Sequence, residues 1–503
     1  MTENHPWPQT SPESVGLSSA AVASFLRKLA DEGLCMHSVL MIRHGQLITE
    51  AYWKPYVKDT RHRMYSVSKS FVSIAIGILI GEGKLSLDDR VDRFFPDKIP
   101  PGCHPWILQT TIRDLLMMSA PHRVNTYSDR DPDWADTFFQ TEPNHQPGRI
   151  FSYNTTATVM LLIILRRITG VEFIDYLRPR LFEPAGFSEE ITCIETPCGH
   201  AWGGSGVLCT PRDLARLALI CLNRGQFLGK QLIPEDYVKA ATSRQIDNSV
   251  ENSDAEMQFG YGYQFWRTRH QGFACVGMGG QLAICLPEQD FILITTADVQ
   301  AMSGGLSTIY RALWSEIFPH LTGGAGATAT LPEDPRAQAE LEQLISQLSL
   351  LIVQGETRST FSSRISGKTF RLAQNDMGIR EIAFTFDETA ESGEMVYENG
   401  TGHHKLRFGF GHQERQPFPE THYYGRKIGV ALEHGYDCHA SAAWTMDRSL
   451  LITCYLTDDY FGTLKINVAF DERGETVTLL MRKAAEWFLD TYDGFADGTC
   501  IDP

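Results

Sequence analysis

The chain has 503 residues and a mass of 56.5 kDa, room for two to four domains of roughly 100–200 residues each. Apolar residues make up 43% and charged residues 21%, a globular composition that excludes a largely disordered chain. The net charge is −16, about −11 of it after residue 320, so nothing attracts a phosphate backbone or an anionic membrane, and neither nucleic acid nor membrane is an expected partner.

The opening MTENHPWPQT has neither a basic nor an apolar leader region. The longest apolar runs are about a dozen residues, short of the ~18–20 that a membrane span needs. A cytoplasmic protein is therefore expected. The eleven cysteines are an odd number and scattered. The nearest pair, Cys193 and Cys198, lacks zinc-knuckle spacing, which suits reduced, buried thiols. A helix is expected over 19–32, then strands over 38–43 and 46–53 joined by His44-Gly45.

The stretch that follows, MYSVSKSFVSIAIGILIGEGKL, carries the most chemistry. Ser66-Val67-Ser68-Lys69 is the only S-x-x-K in the chain and stands where an extended segment becomes a helix apolar on nearly every face, hence buried. Three residues make about one helical turn, so the Ser66 hydroxyl and the Lys69 amine share a face. A serine is a weak nucleophile until a neighbouring base takes its proton. A desolvated lysine can be that base, or can hold another base in its ionised form. The helix N-terminus adds partial positive charge where an oxyanion would form.

Two further stretches match this chemistry. Phe151-Ser152-Tyr153-Asn154-Thr155 forms a polar loop before a buried helix over 158–168, stopped by Gly170, and its tyrosine can aim a phenol at a nucleophile on another element. Gly277-Met278-Gly279-Gly280-Gln281 is a glycine-rich turn entering an alternating strand. Glycines allow close approach to the backbone, and N–H groups there can line an oxyanion hole.

In this order the three elements resemble the serine β-lactamase and penicillin-binding-protein superfamily. The resemblance runs from about residue 11 to 299 and includes SVLMIRHGQLITEAYW, KLSLDDRVDRFFPD, TIRDLLMMSA, LFEPAGF, GGSGVLCTPRDLARLALICLNRGQFLGKQLIP and FGYGYQFW. It is nearest to the esterase and 6-aminohexanoate-oligomer-hydrolase branch. It implies an α+β fold, an antiparallel sheet flanked by helices with an all-helical insertion, and a site between them. Carried over by motif, Ser66 is the acylated nucleophile, Lys69 its neighbour and Tyr153 the proton shuttle to the leaving group. The backbone N–H groups of Ser66 and Met278 are the oxyanion donors, and Asn154, Thr155, Gly279 and Gln281 are substrate contacts.

The sequence departs from the family pattern in places. Thr155 stands where an Asn is usual. Cys275 or Met278 stands where the third motif has Lys or His, so an anionic substrate group loses its partner. With no export signal, these departures favour an esterase or amidase on a small substrate over a β-lactamase or D-amino-acid peptidase. A non-catalytic scaffold on the same fold is the reading from a different class. It is countered by the joint presence of Ser66, Lys69 and Tyr153. Neither a Gly-x-Ser-x-Gly elbow, a Walker A motif nor H-E-x-x-H occurs. His403-His404 would point to opposite faces of a strand. No metal or cofactor is expected.

The Gly/Ala/Thr-rich segment 321–335 reads as a linker between a hydrolase domain over 1–320 and a β-rich domain over 336–503. The second part should open with a helix over 336–352. Short strands are expected over 369–372, 381–386, 406–410, 427–432, 449–456, 463–470 and 476–480, with a closing helix over 482–491. This pattern suggests a small barrel or sandwich and resembles the lipocalin-like accessory domains joined to the family, which implies a lid, a substrate gate or a homo-oligomer contact.

Overall fold

A computed structural model describes residues 6–128, 131–196, 198–252, 254–326, 329–420, 435–485 and 492–501. The chain divides into two units, Met1–Ser349 and Leu350–Pro503.

In the first unit, helix α1 (Ser19–Asp31) is followed by the hairpin β1 (Met36–Arg43) and β2 (Gln46–Tyr52). His44 and Gly45 both have positive φ, 50° and 71°, the turn geometry that matches the twist of paired strands. After a long helical excursion the chain returns as β3 (Trp266–Arg267), β4 (Phe273–Gly277), β5 (Gln281–Leu286) and β6 (Phe291–Ala297). The sheet runs β2-β1-β6-β5-β4-β3, antiparallel throughout, so the two ends of the unit close one sheet around the excursion.

Within the excursion, α2 (Val67–Gly81) is buried from Val67 to Leu79, as its all-round apolar sequence requires. Gly77 lets it pack tightly, since a Cβ there would lie 2.4 Å from the Tyr237 ring. Helix α3 (Thr155–Thr169) is capped by the Asn154 side chain at its start and ends at Gly170, φ 71°. It packs on α2 and on the helices Ile112–Leu116 and Trp134–Gln140. Helix α4 (Pro211–Leu222) lies against β1, β5 and β6. Helices α5 (Gly305–Ala312) and α6 (Pro335–Gln347) pack on α1.

The division between the units falls after Ser349, later than the expected 321–335 segment. That segment is hydrogen-bonded along the first unit. Thr322 N–H donates to the Gly16 carbonyl (3.1 Å), Ala325 N–H to Glu288 (2.8 Å) and Leu331 N–H to Glu13 (2.9 Å). Leu341 on α6 is buried. The helix expected over 336–352 ends at Gln347, where Leu348 is extended, and it packs on α1 in the first unit rather than opening the second.

The second unit contains β7 (Thr369–Leu372), β8 (Glu381–Asp387), β9 (Ser392–Asn399), β10 (Gly402–Phe410), β11 (Glu414–Pro417), β12 (Asp437–Met446), β13 (Ser449–Thr457), β14 (Phe461–Phe470), β15 (Thr476–Ala484) and β16 (Gly494–Cys500). Nine of these close a barrel in the order β10-β9-β8-β7-β16-β15-β14-β13-β12, with β12 pairing β10 in parallel and β11 added along β12. Alternate residues such as Phe370, Ile382, Phe384, Leu406, Ile452, Ile466 and Leu479 fill its interior. The expected closing helix over 482–491 is corrected in part. Arg482 to Ala484 continue β15, where Arg482 pairs with Lys465, so ladder pairing overrides the helix-prone run of residues. Residues 486–491 and the expected strand over 427–432 lie outside the described residues.

Candidate active site

Ser66 is the N-cap residue of α2, with a partly exposed side chain. The residue before it, Tyr65, is buried with φ 46°, a left-handed conformation that is costly for a bulky residue and turns the chain sharply into the helix. One turn on, Lys69 is 1% exposed, and its Nζ donates to Ser66 Oγ at 3.0 Å and to the Gly204 carbonyl at 2.6 Å. The structure therefore brings the S-x-x-K pair together as its spacing predicts.

Tyr153 arrives from the loop before α3. Its ring centroid is 5.1 Å from Lys69 Nζ, which sets the phenol beside the Ser66–Lys69 pair. Burial pushes the phenol well above its usual range, offset in part by Ser66, so at neutral pH Tyr153 carries its proton. The ring is walled by Trp266, 5.4 Å away between centroids, with Phe151 and Tyr261 behind.

The Gly204 carbonyl is a group the sequence analysis does not single out. A small sheet builds its loop, with His62–Arg63 pairing Val207–Cys209. Met64 N–H donates to the Val207 carbonyl (2.8 Å), and Val207 N–H donates to Ser68 Oγ (3.0 Å), so the inner serine of the motif holds the loop on α2. Arg63 donates to the Ser205 carbonyl and hydroxyl at 3.1 Å each and stacks on Tyr65 and Trp202. Glycine is required here by close packing. A Cβ at Gly203 would sit 2.3 Å from Leu162 Cδ1, and one at Gly204 would sit 2.2 Å from Thr155 Cγ2. The signal that could have found the loop is the run Trp202-Gly203-Gly204-Ser205-Gly206.

The glycine-rich turn joins β4 to β5. A Cβ at Gly277 would lie 2.3 Å from the Met64 carbonyl oxygen, so the end of β4 is pressed against the chain two residues before Ser66. Met278 follows with a side chain 41% exposed. Gly279 has φ 82°, and its carbonyl accepts from Val299 N–H (3.0 Å). Gln281 is buried, and its amide donates to the Met278 and Ala297 carbonyls at 3.0 and 2.7 Å. It braces the turn from behind.

Asn154 is likewise turned inward. Its side chain donates to the His122 and Val124 carbonyls (2.9 and 2.5 Å) and accepts from Thr156 N–H (2.8 Å). Thr155 packs its methyl toward Gly204, and its N–H donates to Asn125 Oδ1 (2.8 Å). Of the two residues considered for the third-motif cation, Cys275 is buried, its thiol pushed up to about 12 by desolvation. Neither residue supplies charge. Among the described residues no cluster of three or more His, Cys, Asp or Glu suits a metal, and no helix is long and apolar enough to cross a membrane.

A buried lysine bonded to a helix-start serine, with a half-buried tyrosine beside it near the end of an antiparallel sheet, is the arrangement that the comparisons place in a family. The β-lactamase family model matches residues 27–306, and the chain belongs to that family of hydrolases. Over 286 residues it is 26% identical to the 6-aminohexanoate-dimer hydrolase of Paenarthrobacter ureafaciens, covering 52% of this chain and 72% of that protein. It is 25% identical over 205 residues to the D-aminopeptidase of Brucella anthropi, covering 38% of each chain. Among solved structures, a candidate 6-aminohexanoate-dimer hydrolase from Bacillus anthracis superposes with a TM-score of 0.52 at 20% identity, over 62% of this chain and 87% of that one. A penicillin-binding-protein homologue from Caulobacter crescentus gives 0.50 at 16% identity, over 62% and 100%. At these identities the two structures support the fold.

Proposed function

We propose that the first unit is a serine hydrolase that cleaves an ester or amide bond of a small substrate through an acyl-enzyme on Ser66. The observation that carries this reading is the buried Lys69 Nζ, 3.0 Å from Ser66 Oγ and 5.1 Å from the centroid of the Tyr153 ring.

In this mechanism neutral Lys69 takes the Ser66 proton as the oxygen attacks the carbonyl, while its bond to the Gly204 carbonyl holds the amine in line. The backbone N–H groups of Ser66 and Met278 receive the oxyanion. Tyr153, protonated at rest, gives its proton to the leaving group and regains one from the Lys69 ammonium. Water then reverses these steps on the ester. The uncharged Cys275 and Met278 favour an acyl group without a carboxylate, which supports an esterase or amidase over a β-lactamase or D-amino-acid peptidase. A cytoplasmic setting and self-association are compatible with this reading and contribute nothing to it.

The test is pre-steady-state hydrolysis of a p-nitrophenyl ester. A burst of p-nitrophenolate stoichiometric with enzyme, lost in Ser66→Ala, is expected. Undiminished turnover in Ser66→Ala would remove the acyl-enzyme from Ser66.

A further inference from the structure

Gln264 lies between the elements that carry the three motifs, and all of its polar groups are engaged. It is 1% exposed and has φ 64°, a left-handed backbone in a non-glycine residue. Its carbonyl accepts from Ser70 Oγ at 2.8 Å. Ser70 is one turn along α2 from Ser66 and adjacent to Lys69. Its side-chain carbonyl accepts from Thr158 Oγ1 at 2.8 Å, in the first turn of α3, five residues after Tyr153. Its side-chain amide donates to the Leu115 carbonyl (3.2 Å), and its N–H donates to the Leu116 carbonyl (3.0 Å). Two residues after Gln264, Trp266 lies against the Tyr153 ring.

We propose that Gln264 is the positioning residue of the site, setting the spacing between the Ser66–Lys69 helix and the Tyr153 helix. This rests on the serine-hydrolase reading above. Ser66 and Tyr153 come from separate elements, and proton transfer tolerates little change in their separation. Apolar packing alone leaves two helices free to slide by fractions of an ångström. A buried amide whose oxygen and nitrogen are both hydrogen-bonded in one arrangement does not, because sliding leaves polar groups unsatisfied. The left-handed backbone turns the carbonyl toward α2 while the side chain reaches α3, so one residue grips both.

The test uses two variants of the full chain. Gln264→Asn keeps a residue that tolerates the left-handed backbone and shortens the reach to Thr158. Thr158→Val removes the other partner with little change in shape. Both are assayed on an amide and on the matching p-nitrophenyl ester, with Ser66 labelling by a fluorophosphonate and thermal unfolding alongside. A change in Ser66–Tyr153 spacing impairs protonation of the amine more than departure of p-nitrophenolate. We therefore expect kcat on the amide to fall about 10–100-fold, in the range a displacement near 1 Å produces. The ester rate should fall several-fold less, KM should change little, and labelling should persist. A loss of stability with an unchanged amide-to-ester ratio in both variants would overturn the proposal and leave the serine hydrolase standing. Failure of the wild-type chain to label at Ser66 would overturn the hydrolase reading itself, and this proposal with it.

Discussion

In the first unit Ser66, Tyr153, Gly204 and the 277–281 turn come from stretches far apart in sequence, and Lys69 joins two of them, bonding Ser66 Oγ and the Gly204 carbonyl. In the barrel, each strand from β12 to β16 pairs with the next along the chain. Its buried polar groups bond one another, as where Tyr397 donates to Glu420 at 2.9 Å and contacts the Tyr492 hydroxyl at 2.6 Å. The first arrangement needs the whole unit folded before the distances around Ser66 are defined, whereas the second is built largely from strands that pair with their neighbours in sequence. Polar substitutions should therefore disturb chemistry in the first unit and only folding in the second.

The largest effect is expected at Ser66. Ser66→Ala should lower ester and amide turnover by about 10⁴-fold or more while circular dichroism and thermal unfolding stay close to wild type, since the Ser66 side chain makes no cap bond to α2. Tyr153→Phe should cost about 10²–10⁴-fold on an amide and clearly less on a p-nitrophenyl ester. Equal losses on both would make Tyr153 a positioning group.

Acid should distinguish the units next. His37 and His62 pack with Tyr56 beneath the strand leading to Ser66. Burial holds His62 and His122 at about 4 and His37 well below the usual imidazole value. The unfolded chain binds protons at these histidines that the folded unit refuses, so stability is full above about pH 6.5 and falls as the pH drops toward 4. For His62 this amounts to about 3 kcal/mol. Urea midpoints of the first unit's transition at pH 7, 5.5 and 4.5 should show the decline, and His62→Phe should flatten it. A midpoint independent of pH in the wild-type chain would contradict the burial argument.

The smallest effect concerns the boundary. A chain ending at Ser349 should fold and keep its ester kcat within about twofold, because no residue placed in the site lies beyond it. Ending at 320 instead removes α6 and the burial of Leu341, with a loss on the order of 2 kcal/mol. Equal thermal stability of the two truncations would show that the 321–349 segment is not part of the first unit's core.

What was legible in the sequence was local. The S-x-x-K spacing sets Ser66 and Lys69 on one face, Tyr153 precedes a buried helix, and the glycines of 277–280 mark a hairpin. The acylation roles came from family resemblance laid over those positions. What was not legible depends on distant backbone. No pattern in the chain announces that Gly204 offers its carbonyl to Lys69, or that Gln264 bonds α2, α3 and the 112–116 helix together. Asn154 and Gln281 read as substrate contacts because they flank the motifs, yet their amides are engaged by main-chain groups within the unit. In the barrel, Glu381–Asp387 shows its alternation openly, whereas Asp437–Met446 hides it among Ala and Ser. Residues 482–484 were drawn into the ladder by β14.

The central claim is that Ser66 carries the acyl group. A slowly deacylating p-nitrophenyl ester, quenched in acid during turnover and analysed by intact and peptide mass spectrometry, tests it most directly. The account predicts one acyl group per chain, on the peptide containing Ser66, absent from Ser66→Ala and accumulating without loss of Tyr153 or Lys69. Turnover with an unmodified Ser66 peptide, or an adduct on a different residue, would contradict it.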